Sequence, residues 1–130
     1  MNQKFLKSCY NGKIDIVKQL LPQIDPSIQN NYAIRYAAEN GYPDVVELLL
    51  KDSRVDPSAH YNWAIRWAAL NGHKDVVELL LRINTVDPFA EDNWAIKWAA
   101  EYGHKDIVEV LEQHQYKIDN VRYNEMAKLK

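Results

Sequence analysis

Four histidines, one cysteine and eighteen carboxylates are the side chains of this 130-residue chain best suited to chemistry. Their spacing gives them few partners. A metal site needs three or four converging donors. His73 and His104 instead each follow a glycine, one repeat length apart, and His60 and His114 match no ligand spacing. Cys9 has no histidine in its own stretch and aligns with alanine further on, as a small buried residue does. The acids recur as Asp44, Asp75 and Asp106 rather than as one asymmetric pair, and no glycine-rich phosphate loop is present. Neither an enzyme nor a cofactor or metal is expected. Arg35, Arg66 and Lys97 form a cationic column that could track phosphates. Six aspartates (Asp25, Asp56, Asp87, Asp44, Asp75, Asp106) in the same units leave no basic stripe, so each cation is expected to bond its adjoining loop. Two aromatic columns run alongside, Tyr32, Trp63, Trp94 and Tyr36, Trp67, Trp98. Each pair is i, i+4, hence on one side of a helix. They could stack bases, but their recurrence in register favours packing between repeats.

Those columns exist because the chain repeats. Asn62-Trp63-Ala64-Ile65-Arg66-Trp67-Ala68-Ala69 has near copies from Asn31 and from Asn93, and Gly41, Gly72 and Gly103 follow at a constant step of 31 residues. Asp25-Pro26, Asp56-Pro57 and Asp87-Pro88 keep the same step. A fixed period in this range marks a stacked array. Each unit reads as a loop, a short helix apolar nearly all round and therefore sandwiched, a glycine turn, and an amphipathic second helix. Asn62 reads as the N-cap of the first helix. Val76, Leu79, Leu80 and Ile83 give the stripe of the second. About ten residues through Val86-Asp87-Pro88 then form a projecting loop or hairpin.

The expected organisation is one domain over 1–130. A half unit at 1–24 caps the front, 25–55, 56–86 and 87–118 are full units, and a short closing helix covers 119–130. The front unit is lysine-rich, and Glu112 and His114 stand where Leu81 and Ile83 stood, as ends lacking a neighbour require. A net charge of −2 makes no case for nucleic acid or anionic membrane. One cysteine and no signal-like or membrane-length apolar run give an intracellular, cytoplasmic expectation.

Ala68-Ala69, Gly72-His73 and Asp75-Val76-Val77-Glu78-Leu79-Leu80-Leu81, with their copies, resemble the ankyrin repeat over nearly the whole chain. The family's usual Thr-Pro-Leu-His is replaced by Tyr32-Ala33-Ile34-Arg35 and its counterparts, and the period is two residues shorter than the usual ~33. The Asp-Pro loops with the Trp-Ala-Ile-Arg variant look like the ankyrin arrays of giant DNA viruses infecting amoebae, which would place the protein in host cytoplasm. The resemblance implies an all-α solenoid of ankyrin type that binds a partner protein in a concave groove of loop tips and first-helix ends.

The positions that differ between copies fall on those two sets: Ile28, Gln29, Asn30, His60, Tyr61, Phe89, Glu91 and Asp92 at the tips, and Glu39, Leu70, Glu101 and Tyr102 at the helix ends. Tyr61, Leu70, Phe89 and Tyr102 look exposed and are of the type that dominates interface energy. The reading is non-catalytic recognition of another protein by a monomer, with no membrane and no small-molecule substrate. A nucleic-acid-binding module and a self-associating scaffold are the rivals.

Overall fold

The computed structural model describes residues 1–129. Its helices are α1 (Asn2–Tyr10), α2 (Ile14–Leu20, continued by a 3-10 turn at Leu21–Gln23), α3 (Ile28–Glu39), α4 (Pro43–Leu50), α5 (Ala59–Leu70), α6 (Lys74–Leu80), α7 (Ala90–Glu101) and α8 (Lys105–Lys128), with no strand among the described residues. They form two layers. In one, α1, α3, α5 and α7 pack in succession; in the other, α2, α4, α6 and α8 do, and each helix also packs on its hairpin partner.

The core lies between the layers and between successive units. Ile34 and Ile65 of the first helices are fully buried, as are Val45, Val46 and Leu49 of α4 and Val76, Val77 and Leu80 of α6. The alanine pairs Ala37-Ala38 and Ala68-Ala69 are fully buried too, and their small size lets neighbouring helices approach. Gly72 sits at φ +80°, and a Cβ there would stand 2.6 Å from Cε1 of the His104 ring. The glycine therefore both makes the turn and receives the histidine of the next unit.

The loops differ from the hairpins that the sequence left open. Asp25 Oδ1 accepts the Ser27 N–H and O–H at 2.9 and 2.7 Å, and Asp56 does the same for Ser58. Three residues then adopt left-handed geometry in every unit: Gln29 to Asn31, His60 to Asn62 and Glu91 to Asn93, all at φ between 53° and 64°. Such geometry costs roughly 1–2 kcal/mol per residue outside glycine. Asn62 is the last left-handed residue before the regular turns that begin at Trp63, yet its side chain does not cap them. Its Oδ1 accepts the Asp87 N–H of the following unit at 2.8 Å, and Asn31 accepts that of Asp56 at the same distance.

The far end also departs from expectation. No separate helix closes 119–130; α8 runs unbroken to Lys128, and Lys130 lies outside the described residues. Nor does the last face turn fully polar. Ala100 is exposed where Ala38 and Ala69 are buried, and Trp98 is 39% exposed. A Cβ on Gly103 would meet nothing within 4 Å. The third unit thus leaves open the surface on which its predecessors receive a neighbour.

Candidate partner-binding face

The cationic column holds the left-handed turns in place. Arg35 Nε donates to the Asn30 carbonyl at 2.9 Å and Nη2 to that of Gln29 at 3.2 Å. Arg66 repeats this on Tyr61 at 2.8 Å and His60 at 3.4 Å. Both arginines are buried, 8% and 9% exposed. Their bonds go to backbone carbonyls rather than to the Asp-Pro aspartates. Arg35 also lies 5.3 Å from the ring centre of Trp63, and Arg66 4.9 Å from that of Trp94, so each cation grips the next unit as well. Lys97, beside which the described residues place no further unit, is exposed.

The two aromatic columns merge into one ladder along the first-helix layer. Ring centres step from Tyr36 to Trp63 at 5.9 Å, to Trp67 at 5.2 Å, to Trp94 at 5.2 Å, to Trp98 and on to Tyr102 at 6.0 Å each. Tyr10 joins at the front, 5.6 Å from Tyr36. The rings from Tyr32 to Trp94 are half-buried, so packing between repeats accounts for them while one side of the ladder still faces outward. Nε1 of Trp63 and of Trp67 is buried without a hydrogen-bond partner. Burial pushes the Glu39 carboxyl up, and the nearby Trp63 N–H, which falls short of a hydrogen bond to it, only partly offsets this.

The ladder joins the two sets of variable residues. At the tips, His60 stands edge-on to Trp63 at 5.1 Å, and its Nδ1 lies 3.3 Å from Asn30 Nδ2. Gln29, Asn30, His60, Tyr61, Glu91 and Asp92 are exposed on the left-handed turns, Tyr61 at 71%. At the helix ends, Asn40 Nδ2 donates to the Tyr10 carbonyl, Asn71 Nδ2 to that of Glu39, and His104 Nε2 lies 3.0 Å from that of Leu70. Glu101 and Tyr102 are exposed there, and Glu39 and Leu70 are half-buried.

Three expected contact residues prove less open than their types suggest. Ile28 packs against the core. Leu70, the last residue of α5, is half-buried. Phe89 takes the place of Ser27 and Ser58, keeps only the backbone bond to Asp87, and turns its ring to His114 of α8 at 6.4 Å. Periodicity alone missed the outward side of the aromatic ladder, because core packing and groove lining recur with the same register.

The remaining reactive groups are quiet. Burial pushes the Cys9 thiol up to about 12, which suppresses the thiolate a nucleophile needs. Among the described residues, no group of three His, Cys, Asp or Glu side chains is placed to hold a metal ion. No helix there is long and apolar enough to cross a membrane.

The profile described as ankyrin repeats (3 copies) matches residues 5–61 and 56–124. Among solved structures, a chain in the crystal structure of the yeast ribosomal protein Rps3 in complex with its chaperone Yar1 is similar at a TM-score of 0.65 and 25% identity, over 81% of this chain and 86% of that one. The sequence matches no curated protein.

Proposed function

From the chain's membership of the ankyrin-repeat family, we propose that it is a non-catalytic module that binds a partner protein along the face of loop tips and first-helix ends. The observation that carries this reading is the locking of that face. Tip carbonyls are held by buried arginines, tips are stapled to the next unit by Asn31 and Asn62, and the rings between them touch in one line. A surface ordered before binding loses little conformational entropy on binding. The similar yeast chain likewise comes from a complex of two proteins.

Tyr61 and Tyr102 are the aromatic anchors of this reading, at opposite ends of the first-helix face. Glu91, Asp92 and Glu101 make the third unit's part acidic, with Lys97 the one exposed cation on that helix. The segment that fits is apolar or aromatic with basic flanks. A phosphate-tracking alternative is weakened because Arg35 and Arg66 are buried and committed to carbonyls. The single buried thiol suits an intracellular setting.

The test is affinity capture from source lysate, with and without nuclease, using wild type, Tyr61→Ala/Tyr102→Ala, and Glu47→Ala/Glu78→Ala on the opposite layer. Circular dichroism checks that all three are folded. We expect a nuclease-resistant protein to be retained by wild type and the outer-layer variant, and to be lost with the tyrosine variant. Each anchor contributes on the order of 2 kcal/mol, about thirtyfold in affinity. Capture that survives the tyrosine variant, or disappears with nuclease, would refute the assignment.

A further inference from the structure

The open end of the third unit is a socket whose complement is visible inside the molecule. Asn93, Lys97, Ala100 and Gly103 are exposed there and Ile96 and Val108 half-buried, whereas their counterparts in both inner units are more deeply covered. What covers those counterparts is the following unit. Asn62 takes the Asp87 N–H, Arg66 stands 4.9 Å from the ring centre of Trp94, and Gly72 meets the His104 ring.

The chain carries a further set of such residues. Asn124 lies 31 residues on from Asn93, as Asn93 does from Asn62, and Lys128 keeps the same step from Lys97. Ile118-Asp119 answers to Val86-Asp87 at a step one longer. The ankyrin match itself runs on to residue 124. In the structure these residues sit in the outer part of α8, which has 24 residues where α4 and α6 have eight and seven. Every residue from Asp119 to Leu129 is exposed, so the straight helix buries little there.

We propose that residues 118–129 are a strap that closes over this socket as the loop and first helix of a fourth unit, the unbroken α8 being the open form. The entry point is already in place. Asp119 lines a cleft with Asn93 and Ile96, and Ile118 lines the adjoining one with Val86 and Asp87, so α8 passes the rim of the socket. Closing moves Asp119 from the Gln115 amide, 2.8 Å away in α8, to the Val121 N–H, as Asp87 accepts that of Phe89. Charge fits as well. Arg35 and Arg66 each reach the ring 28 residues on, Trp63 and Trp94, and the residue 28 on from Lys97 is Glu125. The exposed lysine gains a carboxylate where the inner cations have rings. Met126 and Leu129, 66% and 88% exposed in α8, take the places of Ala95 and Trp98 in the new unit. Each turns roughly 100 Å² of apolar surface from water onto the third unit. Closing also adds a fourth tip, Arg122-Tyr123-Asn124, with Tyr123 placed as Tyr61 is. The strap itself does not depend on the partner-binding reading.

Nitroxide labels on Glu101→Cys and Lys128→Cys of the whole chain read the two forms by electron spin resonance, Cys9 being buried. Along α8 from Lys105 to Lys128 the straight form separates the labels by roughly 35 Å, and the closed strap, one helix away, brings them to about 10–15 Å. A short-distance component is expected. Glu125→Lys is expected to lower the ratio of short to long distances at least about threefold, and Lys97→Glu/Glu125→Lys to restore it. A long distance alone, or a short component indifferent to Glu125→Lys, would overturn the proposal. So would a short distance that appears only when singly labelled chains are mixed, which would give the socket to a second copy.

Discussion

Arg66→Met isolates the lock on the left-handed turns. Methionine keeps most of the buried aliphatic stem, so the change removes the guanidinium and little else. What is lost is the 2.8 Å bond to the Tyr61 carbonyl, the weaker 3.4 Å bond to that of His60, and the cation at 4.9 Å from the Trp94 ring. A hydrogen bond from a charged donor contributes about 1.5–3 kcal/mol, and the ring contact adds about 0.5–1 kcal/mol. Relief from burying the guanidinium, the burial that also lowers its pKa, offsets part of this. The expected loss is about 2–3 kcal/mol, a large share of the roughly 5–15 kcal/mol typical of a domain. For a chain of this length it corresponds to a fall in Tm of roughly 7–11 °C. Lys97→Met supplies the comparison, since Lys97 is exposed, and should change stability by less than about 0.5 kcal/mol. Urea unfolding read by dichroism and by tryptophan fluorescence gives both values, and coincident transitions show that one equilibrium is measured. Values for Arg66→Met and Lys97→Met that agree within about 0.5 kcal/mol would refute the lock.

Three further outcomes follow from the contrast between inner and terminal units. Gly72→Ala and Gly103→Ala both force alanine into a positive-φ position at about 1 kcal/mol, but only the first drives a Cβ against the His104 ring; urea melts should show it at least about twice as costly. Asn62→Ala and Asn93→Ala both put alanine at a positive φ, but only the first also loses the bond to the Asp87 N–H, so by the same melts it should cost about 0.5–1.5 kcal/mol more. Burial lowers the His73 pKa, opposed by the Glu39 carbonyl and reinforced by His104. The unfolded chain therefore binds the proton more readily, and stability fully present above about pH 6.5 is lost as pH falls from there through the lower folded pKa. His73→Gln should flatten the slope of Tm against pH between about 7 and 5.

The two-layer array was legible in the sequence because the period, the alanine pairs and the turn glycines each answer to a local requirement. The bonds of Arg35 and Arg66 to their adjoining loops were legible, with backbone carbonyls taken in preference to the Asp-Pro carboxylates. The left-handed triplets were not, because nothing in Gln29-Asn30-Asn31 or His60-Tyr61-Asn62 separates a capped loop from a turn folded into the helix. Asn31 and Asn62 look like caps locally, yet their partners lie 25 residues on. Among the candidate contact residues, Tyr61 and Tyr102 are as open as their types suggested. Phe89 is not, since its ring turns to His114, which the unbroken α8 brings beside it.

The left-handed triplets also restrict what evolution or a library could write at the tips. β-branched residues are poorly suited to all three positions, and the occupants here are Gln, His and Glu, then Asn, Tyr and Asp, then asparagine each time. In the first two units the third position must both tolerate the turn and reach the next backbone N–H, which leaves little besides asparagine. Diversity is therefore available at only two residues per tip, and a randomised version that ignored this would lose the scaffold before it gained a binder.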